Sequence, residues 1–564
     1  MSRPVPSTRH RRTGPILASL FLTLSILLSA CTIPGTPIEL TPTATPPAAS
    51  PTTVAATNTP APTTQVNTPR ASASAAAIAS PTTAAPRTPT GGAATPPANA
   101  TPTRGTPSPG RGTATPTRGR GTPGATPTAR EPFTATKDEP CRDADLEQAP
   151  LPEKAATVAT IEQAYRCLLL HYVDHKTTLD HKVLLNGAWD IFRQAGLPAA
   201  DTAPLVLTGD READWQVYQG RYNGLVQKYG RAIDTSLLAR VAIDGMARSL
   251  NDNHVAYLDP KLWRRFQLEL SGENKEIGPG FNLGIDDASG KFFLYEVYPN
   301  TPAAQTGLKA GDIIEQVNGS PASKGTGNQG LYDLLTGPVG TKATVSVTRP
   351  ATGARVNAQL SIVEFSVQNI ESRVIDGTVG YIKLRAFSIN ADEEFDKELA
   401  KLQAQGITSL IFDVRQNGGG STDALAHILS HFSHQGPHAI TIDEDGKREE
   451  ENPDPAVPLL GLPWVVLCNN VSASSADITA AFAKARGGHL IGEKSSGSLG
   501  AALVFELEDG SAMEITVARV LGPNGEAINE VGVTPDEVVT LTPADLSGGN
   551  DPQLAAALTY LKTR

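Results

Sequence analysis

The chain has 564 residues and a formal net charge of -10, from 48 basic and 58 acidic side chains. No basic stripe occurs along it, which argues against nucleic acid as a partner. The composition divides the chain into a leader, a low-complexity segment and a globular part that is long enough for two or three domains.

Residues 1–31 are predicted to be a lipoprotein signal peptide. Arginines precede an apolar stretch over residues 15–28 that is too short for a confident membrane span. The stretch ends in Leu28–Cys31, which resembles the lipobox of bacterial lipoproteins. That resemblance implies lipidation at Cys31 and a place at the cell surface or on the periplasmic side of the cytoplasmic membrane. The alternative is an ordinary secretory signal, which also exports the protein.

Residues 32–138 are rich in Thr, Pro and Ala and contain almost no large apolar side chains. Such a segment cannot bury enough surface to offset its ordering entropy, so it is predicted to be a disordered tether. A flexible coil of this length spans roughly 55 Å. The tether would therefore hold the folded part away from the membrane.

Residues 139–262 are predicted to form an N-terminal helical domain, because their apolar residues recur at helical spacing. Cys141 and Cys167 lie in this part of an exported chain, so a disulfide is possible. Two buried thiols are the alternative. Cys468 lies in an apolar run and is predicted to be a core residue.

Residues 270–365 combine short strand patterns with glycine turns and predict a compact β-rich module. The run from Pro302 to Gly319 resembles a PDZ domain, a class that binds extended peptides at a sheet edge. The resemblance places the peptide-binding loop at Gly278, Gly280 and Phe281. Pro279 has no N–H, which removes one backbone donor from this loop.

Residues 366–564 are predicted to be the catalytic core. Buried-strand patterns around 378–384, 409–415, 464–469 and 489–493 alternate with helical patterns. This alternation is typical of an α/β layer.

A serine turn and a glycine turn follow two of these strands. Ser474 lies between a strand and a helix, where its hydroxyl would be in the positive field of the helix N-terminus. Serines before helices are usually caps, so Ser474 alone would be only a cap. Residues 418–420 are three successive glycines, more than a plain turn needs, and they would let N–H groups approach a substrate.

The segments FDVRQNGGG and NNVSASSADI, with a PDZ-like module ahead of them, resemble the C-terminal processing (tail-specific) peptidases and the related tricorn protease. This resemblance implies a ClpP/crotonase-like α/β core, with Ser474 as the nucleophile. It also implies an oxyanion hole formed by the amides of Ser475 and Gly419, or Gly418.

The chain departs from the usual pattern at the general base. Ser498 and Ala502 stand where processing peptidases typically have a lysine and a glutamine. Lys494 is the nearest lysine, at about 13 Å along an extended segment. A Ser-Lys peptidase that uses Lys494 is therefore one alternative.

The tricorn-like branch uses a histidine and a glutamate instead, and the resemblance assigns these roles to His254 and Glu530. A neutral imidazole can take the serine proton near neutral pH, and a carboxylate can orient the ring. A structural His254 and a solvated Glu530 are the competing interpretations.

The sequence thus predicts a serine endopeptidase, anchored to the membrane by lipid, that acts on protein or peptide substrates without metal or organic cofactor. A non-catalytic peptide-binding protein on the same scaffold is the rival. No Cys/His spacing indicates a zinc site. Of the other histidines of the core, four are predicted to lie on a surface helix and its exit, His427, His431, His434 and His438, and His489 is predicted to lie at the start of a strand.

Overall fold

The computed structural model describes residues 21–22, 135–136, 139–145, 151–272, 275–286, 289–322, 331, 335 and 337–564. Cys31 and nearly all of the predicted leader and tether lie outside these residues. Among the described helices, none has the length and apolar character needed to cross a membrane.

The N-terminal part is helical, as predicted. Two short strands come first, β1 (Phe21–Leu22) and β2 (Arg142–Asp143). Four helices follow, and their bounds are α1 (Val158–His171), α2 (His181–Gln194), α3 (Arg211–Tyr229) and α4 (Thr235–Arg248). A strand and a helix complete this part, β3 (Ala256–Leu258) and α5 (Pro260–Leu270). The helices enclose buried aromatic side chains such as Trp189, Trp215 and Tyr218, so they form a packed layer.

The next part is the β-rich module. Its strands are β4 (Lys275–Gly278), β5 (Phe281–Asp286), β6 (Lys291–Val297), β7 (Ile313–Val317), β8 (Ser320–Pro321), β9 (Lys342–Arg349), β10 (Ala354–Ser361) and β11 (Val363–Ser366), with the short helix α6 (Pro302–Gln305) after β6. One sheet has the order β10-β9-β7-β6-β5, with β8 attached to β7. The strand β5 therefore lies at an edge of that sheet.

The module is tied to the rest of the chain by charge. Glu296 on β6 accepts hydrogen bonds from Arg385 at 2.6 and 2.8 Å and from Lys383 at 2.7 Å. These groups are largely buried, which strengthens their interaction relative to an exposed pair. The contacts give the module a defined position on the catalytic core.

The core contains the remaining elements. Its strands are β12 (Ile370–Ile375), β13 (Val379–Leu384), β14 (Ser409–Asp413), β15 (Gly420–Ser421), β16 (Ala439–Ile442), β17 (Arg448–Glu451), β18 (Trp464–Cys468), β19 (His489–Gly492), β20 (Ala501–Glu506), β21 (Ala512–Leu521) and β22 (Glu537–Val538). Its helices are α7 (Ala391–Ala404), α8 (Thr422–Ser430), α9 (Ser475–Ala485), α10 (Pro543–Ser547) and α11 (Pro552–Leu561).

The principal sheet has the order β12-β13-β14-β18-β19-β22 and is parallel from β13 to β22. All residues of β14 and β18 are buried, as expected for central strands covered on both faces. One face packs on α7, α8 and α9, and the other packs on α11. The predicted α/β layer is confirmed.

A second sheet has the order β17-β16-β21-β20-β2, with β3 paired to β21. The strands β20 and β21 were not predicted, because only the alternation of buried strands with helices was used. Through β2 and β3, the chain around the N-terminal helices joins this sheet, so the helical part is not an independent layer.

The topology places two loops side by side. The neighbouring strands β14 and β18 run parallel, so their carboxyl ends lie at the same edge of the sheet. The glycine turn follows β14, and the serine turn follows β18. Ligand sites of open parallel sheets lie at this edge.

Candidate active site

Ser474 occupies a strained turn between β18 and α9. Its backbone dihedrals are φ 56° and ψ -117°, in a region that non-glycine residues rarely adopt. The side chain is fully buried, and its Oγ makes no hydrogen bond to the described part of the chain. The turn also has the reciprocal arrangement of a capping box, in which the Asp477 carboxylate accepts from the N–H of Ser474 at 2.9 Å.

The glycine turn lies directly against this serine. The N–H of Ala473 donates to the carbonyl of Asn417 at 3.0 Å, and Ser475 Oγ donates to the carbonyl of Gly420 at 3.0 Å. A methyl group placed on Gly419 would lie 2.5 Å from Ser474 Cβ and 2.9 Å from its Oγ. The structure thus joins the serine turn to the glycine turn, as the sequence predicted.

The backbone amides distinguish between the two candidate glycines. The N–H of Gly419 donates to Asn417 Oδ1 at 2.8 Å, so this amide is already used. The N–H groups of Gly418 and Ser475 make no hydrogen bond within the described residues. Of the two candidate glycines, Gly418 therefore has the amide without a partner among the described residues, and the oxyanion hole of Ser475 with Gly419 or Gly418 remains a prediction.

His254 lies in the turn before β3 and is 1% exposed. Its Nδ1 lies 2.8 Å from Asn253 Oδ1, an acceptor, so Nδ1 carries the hydrogen and Nε2 carries the lone pair. The ring packs on Gly500, where a methyl group would lie 3.2 Å from its Cγ and Nδ1. Burial lowers the pKa of His254 to about 4, against the charge of Asp252, which raises it. The imidazole is therefore neutral near pH 7.

One segment, residues 494–500, connects the candidate residues. The N–H of Ser474 donates to the carbonyl of Ser498 at 2.8 Å, and the N–H of Glu530 donates to the carbonyl of Gly497 at 2.6 Å. The same segment ends at the glycine that packs on the His254 ring. Three parts of the chain that are distant in sequence therefore meet around it.

The side chain of Glu530 does not carry out its predicted role in this structure. Glu530 is exposed, with φ 62°, and its carboxylate makes no hydrogen bond or ion pair with the described residues. The Nδ1 atom of His254 is instead paired with Asn253. Orientation of the histidine by Glu530 is thus corrected to orientation by Asn253, because the adjacent amide already occupies the atom that a carboxylate would hold.

Lys494 is poorly placed to serve as a base. It is exposed, whereas Ser474 is wholly buried. The Cε atom of Lys494 would lie 3.3 Å from a methyl group placed on Gly532. Ser498 is buried at the usual lysine position, and its Oγ makes no hydrogen bond to the described residues.

Comparison with known proteins identifies the family. The profile of peptidase family S41 matches residues 378–539, and that of the PDZ domain matches residues 293–349. A carboxyl-terminal-processing protease of Picosynechococcus sp. is 30% identical over 343 residues, which cover 59% of this chain and 81% of that protein. The chain belongs to peptidase family S41.

The chain is also similar to a second processing protease and to a solved structure. The carboxy-terminal processing protease CtpB of Bacillus subtilis is 27% identical over 344 residues, covering 60% of this chain and 71% of that protein. Among solved structures, the photosystem II D1 C-terminal processing protease has a TM-score of 0.47 at 24% identity and covers 72% of this chain and 97% of that one. This chain is a serine-type peptidase with a PDZ domain.

In this S41 peptidase, Asp477 organises the serine turn, a role that the sequence analysis did not assign. Its buried carboxyl group accepts hydrogen bonds from the N–H of Ser474 at 2.9 Å, the N–H of Gly497 at 3.0 Å and the hydroxyl of Ser495. Burial raises the pKa of Asp477 to about 7, and these hydrogen bonds oppose the increase. In the sequence, Asp477 stands three residues after a serine that precedes a helix. This spacing is that of a capping box and could have indicated the role.

The peptide-binding loop of the PDZ domain is partly occupied by internal contacts. The carbonyl of Gly280 accepts from the N–H of Tyr298 at 3.0 Å, and the carbonyl of Pro279 accepts from Ala303 at 2.9 Å. Gly278 ends β4, and Phe281 begins the edge strand β5. The assignment of Gly278, Gly280 and Phe281 to peptide binding remains a prediction.

The possible disulfide is present. Cys141 and Cys167 are bonded, with a Cα–Cα distance of 5.8 Å. The bond links the segment of β2 to helix α1, and so it fastens the N-terminal helices to the second sheet. Cys468 is free and buried, as predicted.

Proposed function

We propose that this S41 peptidase is a lipid-anchored endopeptidase outside the cytoplasm that uses Ser474 as nucleophile and His254 as general base. One observation carries the assignment. The Ser474 hydroxyl is buried on a strained turn, has no hydrogen-bond partner among the described residues and lies against the glycine turn. The backbone N–H of Ser474 donates to the segment that packs on His254.

The proposed reaction follows from these groups. Nε2 of His254 accepts the Ser474 proton as Oγ attacks the carbonyl carbon of the substrate. The amides of Gly418 and Ser475 donate to the oxyanion, and the N-terminus of α9 adds a favourable field. The imidazolium then protonates the leaving amine, and water hydrolyses the acyl-enzyme. Asn253 acts as a positioning residue, and Glu530 has no assigned step.

An extended substrate would pair with β15. In the structure, Phe21 and Leu22 of β1 pair antiparallel with Ser421 and Gly420. This pairing supports an edge beside the glycine turn that accepts an extended chain by backbone hydrogen bonds. A substrate bound in the same way would present its carbonyl groups close to the serine turn.

The PDZ domain would deliver or gate such a peptide. Its edge strand β5 provides a backbone edge, and the Glu296–Arg385 contact fixes the domain on the core. Whether the bound segment is a chain end depends on the loop at Gly280, whose N–H makes no hydrogen bond within the described residues.

The proposed location rests on the leader, the tether and the disulfide. Cys31 ends the lipobox-like segment, and a structural disulfide is typical of oxidising compartments outside the cytoplasm. Metabolic labelling with a radioactive fatty acid tests this proposal. Label in the wild type and its loss in Cys31→Ser would support it, and an unlabelled wild type would contradict it.

A fluorophosphonate probe tests the catalytic assignment. The wild type should react at Ser474, and Ser474→Ala should not. His254→Ala should reduce labelling severely, whereas Lys494→Ala should change it little because Lys494 is at the surface. Loss of labelling in Lys494→Ala with retention in His254→Ala would instead establish a Ser-Lys enzyme. A correctly folded wild type that bound peptide but never reacted would be a binding protein.

A further inference from the structure

We propose that the interface between α7 and α8 contains a binding site for a divalent transition metal such as Zn²⁺. The site consists of Asp396 on α7, His427 on α8 and His431 at the end of α8. The two histidines are four residues apart, so they lie on the same face of the helix. The sequence analysis expected no metal, because it considered chain spacing alone and Asp396 is distant in sequence.

The three side chains converge. The Nε2 atom of His427 lies 3.0 and 3.1 Å from the two carboxylate oxygens of Asp396, and Nε2 of His431 lies 2.6 Å from Oδ1. One potential ligand atom from each residue lies within 4.8 Å of the other two. Two imidazole nitrogens and a carboxylate oxygen are a ligand set that zinc accepts, with a further position left for water.

The hydrogen bonding of His431 is suited to a metal ligand. Its Nδ1 lies 2.9 Å from the carbonyl oxygen of Pro458, which can only accept, so Nδ1 carries the hydrogen. In a neutral imidazole, Nε2 then has a lone pair and faces the carboxylate of Asp396. A metal ion between the two could bind this lone pair together with the carboxylate oxygen. A main-chain carbonyl bonded to the opposite nitrogen is the outer contact that metal-bound histidines commonly have.

Only a small movement is needed to admit the ion. Bonds of 2.0–2.1 Å in a tetrahedral zinc site separate the ligand atoms by about 3.3 Å. The side chain of His431 is 8% exposed and fixed by Pro458, whereas that of Asp396 is 45% exposed and can rotate outward. The side chain of His427 is 31% exposed, which leaves a path from solvent.

A metal at this site would stabilise helix α8, which follows the glycine turn. Helix α8 begins at Thr422, immediately after β15, and Ser421 Oγ accepts from the N–H of Ala424 at 3.2 Å as its cap. A metal bound by Asp396, His427 and His431 would fasten α8 to α7. The proposal concerns this clamp and does not depend on the identity of the general base.

Metal titration of the oxidised, metal-free chain tests the site. Calorimetry with Zn²⁺ should give one ion per chain, and Co²⁺ should give visible d–d absorption characteristic of low coordination number. Asp396→Asn and His427→Ala should each weaken binding by at least about tenfold. His434→Ala is the matched control, because Nε2 of His434 bonds to the carbonyl of Val457 and lies outside the cluster.

The outcomes separate a metal site from an ion pair. Binding by the wild type and His434→Ala, with loss in the other two variants, would support the site. No binding by the wild type, or equal binding by all variants, would overturn it and leave a histidine–aspartate contact without metal. Circular dichroism and fluorophosphonate labelling of every variant would establish that each is folded.

Discussion

Asn253 Oδ1 lies 2.8 Å from His254 Nδ1, so the residue that orients the histidine is its neighbour in the chain. This contact selects the tautomer in which Nδ1 carries the hydrogen and Nε2 carries the lone pair that a general base needs. Removal of the Asn253 amide should therefore impair catalysis more than removal of the Glu530 carboxylate. Asn253→Ala should lower kcat/KM on a peptide substrate by about 10- to 100-fold with little change in KM.

Glu530→Gln is the control variant for Asn253→Ala. Because the Glu530 carboxylate is exposed and makes no hydrogen bond to the described residues, kcat/KM should remain within about threefold of the wild type. The reverse order, with severe loss in Glu530→Gln and near-normal Asn253→Ala, would establish the Ser-His-Glu arrangement.

Gly419 should tolerate no side chain. In Gly419→Ala, the methyl group would lie 2.5 Å from Ser474 Cβ, and φ is 108° at this position. The serine or the glycine turn must shift, so the rate of fluorophosphonate labelling should fall by about 100-fold or more. Gly446→Ala is the control, since its φ is 77° but nothing lies within 4 Å of the added methyl. Equal effects of the two substitutions would show that backbone strain alone is responsible.

Asp477 should be essential to the stability of the serine turn. Asp477→Ala leaves the buried N–H of Gly497 and hydroxyl of Ser495 without their acceptor, and the N–H of Ser474 with only the carbonyl of Ser498. The free energy of unfolding in urea should fall by about 3–5 kcal/mol. Asp423→Ala, which removes an exposed acid from the first turn of α8, should cost less than about 1 kcal/mol.

The activity should persist well into the acid range. Burial lowers the pKa of His254 to about 4, from an ordinary value of 6.5. The imidazole is the active base only when neutral, so the acidic limb of kcat/KM should have its midpoint below 6.5 and towards 4. A midpoint at 6.5 or above, in a protein that remains folded, would contradict a buried histidine base.

The same shift has a consequence for stability. The unfolded chain binds a proton at His254 below about pH 6.5, whereas the folded chain does so only near pH 4. Stability from this group is therefore present above the unfolded pKa and is lost as the pH falls through that window. Between pH 7 and pH 5, the free energy of unfolding in urea should decrease less for His254→Gln than for the wild type.

The disulfide should stabilise the N-terminal helices. It joins residues 26 apart in the sequence, Cys141 and Cys167. Loop-closure entropy then predicts that the double variant Cys141→Ser/Cys167→Ser loses about 3 kcal/mol of unfolding free energy. Urea denaturation of the wild type with and without reductant, and of the double variant, measures this difference in unfolding free energy. A wild type that is insensitive to reductant would contradict the prediction.

Much of the architecture could be read from the chain. Uninterrupted apolar runs such as those over residues 410–412 and 464–468 indicated buried parallel strands, because strands covered on both faces lack alternation. Ser474 and the glycine turn were found because each follows one of these strands. The strands β20 and β21 were missed, since their pairing joins them to β2 and β3 from far earlier in the chain.

The sequence by itself determined the order of the modules, the family and the candidate nucleophile, since these depend on local patterns and short motifs. Only the tertiary structure decided which candidate amide has no hydrogen-bond partner among the described residues, which side chain contacts Nδ1 of His254 and that Asp396 meets two histidines of another helix. Those choices depend on hydrogen-bond partners that are already occupied and on side chains that approach from separate elements. Contacts of that kind are set by packing, which no spacing along the chain encodes.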